Sequence, residues 1–513
     1  MNIYKYGCDK MSISLFHRSF KMLTEIAILF ASVGIVAILY VKYKYAYWKR
    51  KNIPYLVPTF PTGNNTTFFP EGQSIGKPSY DFYQEFKARG AKMGGVYVGI
   101  DPHLVILDPE ILRTIMIKDF NHFMNRGLYK IENDPLTVNM VTQHGTEWRN
   151  ARVKFTNVFT SAKIKIMYDT MKLVIPNMIP TLDEKAKNKI DVDVMETMAC
   201  FTTDAVGSTI LGVECNSFKN PDAEFRRLGR HFFEEFSTID KLRLFVTINF
   251  PNLAETLRFS NVQPEVSKNY SKIIKETVEY REKNNVVRKD FLDLLIQLKN
   301  SGVQVTMDEI IGQTFSFFTA GFETSATTTT MTLFELAENQ EAQNRLREEI
   351  TSTFEKNNGD MPYEALVGMK YLGQAIDETL RLWPPVPTIP RLCVKDYKFP
   401  GTDLTIEKGT KVMIPVLGLH LDEYYYPDPL KWNPDRFEDR NEKFPAYFPF
   451  GDGPRHCIGM RFAFMQVRLG LATILKNYKV TPSPLTEKPL DIHPGTFLLK
   501  IKQRIYLKFE KIH

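Results

Sequence analysis

From Thr306 to beyond Asn339 the chain meets no proline, and the stretch opens on a threonine followed three residues later by Glu309. That spacing is a capping box, in which side chain and backbone at a helix start satisfy each other. At 1.5 Å per residue the helix it predicts is on the order of 50 Å long, enough to cross a whole domain. A domain crossed by such a helix is built by packing other elements around it. Helical spacing dominates elsewhere too, with short β-like runs near 95–107, 398–413 and in the last thirty residues. The expected fold is mainly α with a small β region.

The 513 residues are 43% hydrophobic, 12% aromatic and 24% charged, which fits a globular core and excludes a disordered or fibrous chain. A net charge of +7 is modest for this length and argues against a nucleic-acid-binding protein. Cys8, Cys200, Cys215, Cys393 and Cys457 are odd in number, scattered, and form no C-x-x-C pair. Neither a disulfide framework nor a zinc ribbon is expected, and the bulk of the chain is expected to face a reducing compartment.

Residues 26–41 are all apolar or small, and Met22 and Leu23 bring the run close to the roughly 20 residues a spanning helix needs. Lys42, Lys44, Lys49, Arg50 and Lys51 follow, interleaved with Tyr43, Tyr45, Tyr47 and Trp48. That is the expected interface, with aromatic rings at headgroup depth and cations on the cytosolic side. A cleaved signal would present a small-residue site there rather than a basic cluster. The expected division is an extension of unusual character at 1–21, an anchor at 22–41, a basic and proline-rich linker at 42–61, and one large catalytic domain at 62–513. Lys5, Lys10, Arg18 and Lys21 in the extension weaken the charge asymmetry that orients the anchor, a conflict that a start at Met22 removes.

The densest chemistry lies in Pro449-Phe450-Gly451-Asp452-Gly453-Pro454-Arg455-His456-Cys457-Ile458-Gly459. Glycines and prolines impose a tight loop, and Phe462, Met465, Leu469 and Ala472 then recur at helical spacing. Cys457 is therefore expected at a helix N-terminus, where aligned N–H groups favour the thiolate. The loop resembles the haem-binding signature of the cytochromes P450, F-x-x-G-x-R-x-C-x-G, with Phe450, Gly453, Arg455, Cys457 and Gly459 at its defining positions. The resemblance covers essentially the whole body. It implies the cytochrome P450 fold, haem b (iron protoporphyrin IX) as cofactor, and Cys457 as the metal ligand.

Ala320-Gly321-Phe322-Glu323-Thr324 is similar to the oxygen-binding A-G-x-[DE]-T of that family. Gly321 inside a helix costs roughly 1 kcal/mol relative to Ala, which points to close approach by something flat. Thr324 can bond back to the Ala320 carbonyl, and the Glu323–Thr324 pair suits the relayed protons that O–O cleavage requires. Glu378 and Arg381 resemble the family's E-x-x-R, and Pro434-Asp435-Arg436-Phe437 its P-x-R-F. The implied role of Glu378, Arg381 and Arg436 is a structural charge network that holds the cysteine loop. Trp148 and Arg152, one helical turn apart, together with Arg391 and Arg455, are the donors implied for the haem propionates.

The family places substrate contacts after Phe120 and Phe123, around 225–245, on the long helix, at 386–389 and near Phe497. Phe232, Phe233, Phe236, Phe315 and Phe318 lie in those stretches; such residues are more often core than pocket, but where even a few line the site the pocket is apolar and aromatic and suits lipophilic substrates. No G-x-G-x-x-G fingerprint is present, so electrons are expected from a separate protein. The resemblance implies an NADPH–cytochrome reductase, with cytochrome b5 as a further donor. Arg149, Lys154, Lys163, Lys165 and Arg468 are the expected cationic docking patch. The phrases at 320–325, 424–437 and 280–285 look most like insect microsomal enzymes of the xenobiotic-metabolising type. These imply the endoplasmic reticulum membrane, a body facing the cytosol, and plant toxins, insecticides or hormones as substrates. A haem-thiolate isomerase or dehydratase, and a non-catalytic haem-binding protein, are the alternatives. The intact Glu323–Thr324 pair argues against both.

Overall fold

The computed structural model describes residues 5–64, 76–128, 130–131, 134–233, 237–259, 262, 264–439, 444–493 and 498–512, with backbone alone at 5–16, 18, 76, 231, 233, 238, 241, 244 and 251. Phe236 and Phe497, the side chain of Phe233, and the cationic ends of Lys5, Lys10 and Arg18 lie outside that description.

The long helix is the axis of the fold. It runs Met307–Glu338, capped by Thr306 and Glu309 in reciprocal hydrogen bonds of 3.1 and 3.0 Å. It stops at Asn339, and a second helix, Gln340–Lys356, starts at once. Absence of proline could not mark that break. Val194–Val206, Met460–Asn477 and Lys370–Leu382 pack against the axis. Their buried faces form one large apolar core with it.

The β region carries a second core. Its main sheet has the order Met93–Val98, Asp101–Ile106, Lys411–Ile414, Ile389–Leu392, with antiparallel outer pairings and one parallel pairing in the middle. Tyr397–Lys398 pairs with Thr405–Ile406. Val192–Asp193, Tyr506–Lys511 and Tyr478–Pro482 make a third, antiparallel sheet. A mainly α body with small sheets is what the chain forms.

At the N-terminus one helix runs Lys5–Tyr45 without interruption, through the expected junction at Met22. Its segment Ser19–Tyr45 is long and apolar enough to cross a membrane, and none of it is buried in the protein. The aromatic residues after it correct the sequence reading. Tyr43 is exposed, but Trp48 is fully buried against the sheet instead of lying at headgroup depth. Its indole donates to the Val96 carbonyl at 3.1 Å and lies where any side chain on Gly95 would stand. Tyr97 Oη donates to the Tyr45 carbonyl at 2.8 Å, and Tyr45 Oη donates to that of Gly99 at 3.2 Å. Leu56 and Pro54 exchange backbone hydrogen bonds with Gly95, and Lys51 and Tyr47 both reach Glu407. The physical reason is the glycine pair Gly94-Gly95, which leaves a bare strand for a ring to cover.

The stretch that follows the apolar helix is therefore part of the β core. Trp48→Ala is expected to lower the stability of the catalytic body by about 3 kcal/mol, the usual cost of emptying a buried tryptophan site. Thermal unfolding checks this, and an unchanged midpoint would mean that the segment is only a tether.

Candidate active site

The cysteine loop is shaped by two left-handed glycines, Gly451 at φ +70° and Gly453 at φ +67°. Gly453 also lies against the Met116 carbonyl, so a side chain there would clash as well as strain the backbone. A 3-10 turn, Gly453–Arg455, follows, and the Cys457 N–H then donates to the Phe450 carbonyl at 2.9 Å, closing the loop. Gly459 caps the helix Met460–Asn477, so Cys457 lies just ahead of its first turn. Burial pushes the Cys457 thiol up, while the Gly459 N–H and the guanidiniums of Arg126 and Arg152 pull it down. The helix end favours the anion, but burial outweighs it.

The cysteine helix meets the long helix at Gly321. A Cβ there would stand 3.1 Å from Val206 and 3.9 Å from Phe462. The glycine thus also serves the closure of three helices. Ala320, one residue earlier, is exposed in a helix otherwise buried almost throughout from Ile310 to Ala337, and Gly321 and Thr324 are partly exposed. Thr324 Oγ1 donates to the Ala320 carbonyl at 2.7 Å. The helix therefore presents a shallow step of small side chains on one side. Glu323 points elsewhere. Its carboxylate pairs with Lys500 at 2.7 Å, and it makes no hydrogen bond with Thr324 among the described residues.

Arg126, Arg152, Arg391 and Arg455 form a cationic cluster beside Cys457. Burial is the main cause that depresses all four, and repulsion from the neighbouring arginines adds to it at Arg126, Arg391 and Arg455. Arg391 is brought down to about 9 and Arg455 to about 8. No carboxylate among the described residues offsets any of them, and Arg391 Nε, deeply buried, has no partner there. Guanidinium groups keep their proton in proteins, so such a cluster calls for anions. Arg455 also clamps the fold: it donates to the carbonyls of Met124, Met140 and Gln143 and lies 4.2 Å over the Trp148 ring. Arg152 donates to the His456 carbonyl at 3.1 Å. Arg126 was not among the residues expected from sequence. A lone arginine in a loop carries no spacing signal, and only the fold brings it to the sulfur.

These donors fit a flat dianionic group that carries its own metal. Among the described residues no three His, Cys, Asp or Glu side chains converge to hold a bare ion, whereas Cys457 can give one ligand to a metal that brings the others. The arginines answer two carboxylates, and the Ala320–Gly321 step leaves a face for a ring system.

Phe315, Phe318 and Phe322 are buried: Phe315 packs edge-on with Phe232 and Tyr270, Phe318 with Phe225, and Phe322 is tilted against Phe318, so they belong to the packing between helices. The expected cationic patch is revised. In the cationic patch, Lys154 is paired with Glu309 at 2.7 Å and Arg468 is buried on the carbonyls of Leu366, Val367 and Met369. Lys165 is paired with Glu364. Arg149 remains exposed and Lys163 partly so. With exposed Lys118, Arg149 lines a cleft of about 430 Å³ that also touches Arg152, Trp148 and Pro454.

The family model for cytochrome P450 matches residues 60–509. Among curated proteins the chain is similar to cytochrome P450 6k1 of Blattella germanica, 37% identical over 95% of this chain and 97% of that protein. It is likewise similar to cytochrome P450 6a2 of Drosophila melanogaster, 37% identical over 96% and 100%. Cytochrome P450 6A1 of Musca domestica is 38% identical over 93% and 96%.

The ion set beneath the loop involves one further residue that spacing did not reveal. Arg381 donates to Glu378 twice, at 2.7 and 2.8 Å, and both side chains are wholly buried. Arg436 Nε reaches the same carboxylate at 3.2 Å, and the Asn433 N–H at 2.9 Å. Arg381 also donates to the His420 carbonyl at 2.9 Å. His420 Nε2 in turn accepts the Phe448 N–H at 2.9 Å, which assigns the proton to Nδ1, 3.2 Å from the Arg381 carbonyl. Burial, then the Arg381 charge, hold His420 down to about 3. An unfolded histidine titrates near 6.5, so below that pH the unfolded chain binds one more proton than the folded one. Stability contributed by neutral His420 is thus complete above about pH 6.5 and is lost by ~1.4 kcal/mol per unit as pH falls towards 3. His420→Asn is expected to remove one proton from the acid limb of stability against pH. Equal slopes in variant and wild type would refute the neutral assignment.

Proposed function

The chain belongs to the cytochrome P450 family, whose members are haem-dependent monooxygenases, and on that footing we propose that it inserts one oxygen atom of O2 into lipophilic small molecules. Electrons come from NADPH through a separate reductase, with cytochrome b5 as a second donor. The observation that carries the reading is Cys457 beside an arginine cluster that no carboxylate among the described residues offsets, with the small-residue step at Ala320 on the helix that the cysteine helix meets at Gly321.

When bound, the haem supplies oxygen activation, with its iron held by a thiolate. The protein supplies the rest. Cys457 Sγ is the metal ligand, and Phe450, Gly453 and Gly459 shape its loop. Arg126, Arg152, Arg391 and Arg455, with Trp148, would hold the propionates. Ala320 and Gly321 would leave the ring room against the long helix, and the Thr324 bond to the Ala320 carbonyl fixes its hydroxyl at the step. Glu323 and Thr324 move protons, while Glu378, Arg381 and Arg436 hold the loop without taking part in chemistry.

The relatives are insect proteins, which favours plant toxins, insecticides or hormones as substrates. The apolar N-terminal helix followed by Lys42, Lys44, Lys49, Arg50 and Lys51 supports an anchor in the endoplasmic reticulum membrane with the body in the cytosol. The alternatives, an isomerase or a passive haem protein, need no NADPH consumption. A reconstituted mixture with reductase separates them, and a screen of lipophilic compounds names the substrate.

Cys457→Ser is expected to abolish the long-wavelength Soret absorption of the reduced, carbon-monoxide-treated protein. An unshifted spectrum would remove the thiolate assignment. Reversing Lys118 and Arg149 to glutamate is expected to slow reduction by the reductase about tenfold, as measured by stopped flow, because steering by exposed charge sets such rates. Reversing Lys165, already paired, is expected to do less. Equal rates in all variants would place docking elsewhere.

A further inference from the structure

Between Glu309 and Glu335 the long helix carries one charged residue, Glu323. It is 7% exposed, and a carboxylate so placed has to be paired. Its partner is Lys500, from a segment 177 residues later in the chain, 500 − 323, with Nζ 2.7 Å from Oε1.

The root of that lysine is fixed. Leu499 is buried and its N–H donates to the Pro385 carbonyl at 2.9 Å, while the His493 N–H donates to the Lys500 carbonyl at 2.7 Å. The other end spans interior and surface: the lysine side chain is 27% exposed and the carboxylate 9%. A lysine has a compact charge on a flexible four-carbon stem, so its head can move outward while its backbone stays in place. Thr324, next to Glu323, stands at the step beside Ala320.

We propose that Lys500 is a positioning residue for proton delivery, resting on the monooxygenase reading above. In the closed arrangement its ammonium occupies Glu323 Oε1 and aims the carboxylate. When the ammonium swings out to solvent, water takes its place at Oε1. Released from the lysine, the carboxylate accepts a proton from that water and turns to pass it towards the Thr324 hydroxyl, which it does not touch in the closed arrangement. The overall reaction balances as substrate, O2, two electrons from NADPH by way of the reductase, and two protons, giving hydroxylated product and one water. Lys500 changes how protons enter, not which bonds are made.

The test uses the full-length enzyme with its reductase and an ethoxycoumarin ether, or another lipophilic ether that the wild type dealkylates. Lys500→Met, Lys500→Arg, Glu323→Gln and the Met/Gln double variant are compared. The measurements are the reduced carbon-monoxide spectrum, the share of NADPH recovered as product instead of hydrogen peroxide, and the solvent isotope effect in D2O. Lys500→Met is expected to keep the spectrum, lose about fivefold in coupling, the scale of a partly buried ion pair, and raise the isotope effect. Lys500→Arg is expected to restore both, and the double variant to be no worse than Glu323→Gln. Wild-type coupling and isotope effect in Lys500→Met, beside an impaired Glu323→Gln, would overturn the inference. So would a lost spectrum in Lys500→Met, which would make the lysine structural. An unimpaired Glu323→Gln would instead overturn the relay itself and the inference with it.

Discussion

Glu378 and Arg381 share no surface with water, so every hydrogen bond they need is found inside the protein. Taking two charges out of solvent costs several kcal/mol per ion, and only full satisfaction offsets it. The carboxylate collects two bonds from Arg381, one from Arg436 and one from the Asn433 backbone. The guanidinium goes on to the His420 carbonyl, and His420 receives the Phe448 N–H. Phe448 in turn accepts the Gly451 N–H, at the mouth of the cysteine loop. A chain of bonds thus leads from a buried ion pair to the loop that bears Cys457. Breaking it at either charge would leave the other uncompensated, which is why the arrangement specifies one loop position instead of several.

The long helix meets the elements around it through small side chains. Its neighbours come close at Gly321, against Val206 and Phe462, and at Gly312, against the Pro135 and Val138 carbonyls. The step at Ala320 exists because larger residues are absent there, whereas Phe315, Phe318 and Phe322 fill the adjoining helix contacts. Bulk and openness alternate along one element. The aromatic residues give the roof rigidity, and the small ones leave room for chemistry.

Electrostatics divides the molecule in a similar way. The arginines beside Cys457 repel one another in a buried setting, an arrangement that makes sense only with anions among them. Cations elsewhere are neutralised inside the protein: Lys154 by Glu309, Lys51 by Glu407, Lys500 by Glu323. Counting positive residues along the chain therefore overstates the charge available to a partner, and exposure decides which remain.

Local rules of the chain were enough for much of this. Thr306 and Glu309 start a helix wherever apolar periodicity follows them, because a cap needs only its own first turn. The glycines of the cysteine loop demand their backbone by sterics alone, and 26–41 is apolar whatever surrounds it. The Thr324 bond to Ala320 lies within one turn and was open to the same reasoning. Other features need partners far apart in sequence. Trp48 looked like an interface residue until a bare strand at Gly95 received it. Arg126 and His420 carry no motif and become important through what the fold sets beside them. The direction of Glu323 depended on Lys500, and no spacing rule links those two. Sequence determined the elements and their chemistry, since caps, turns and hydropathy act over a few residues; only tertiary structure decided which charges meet, because a buried charge takes whatever partner the packing brings within reach.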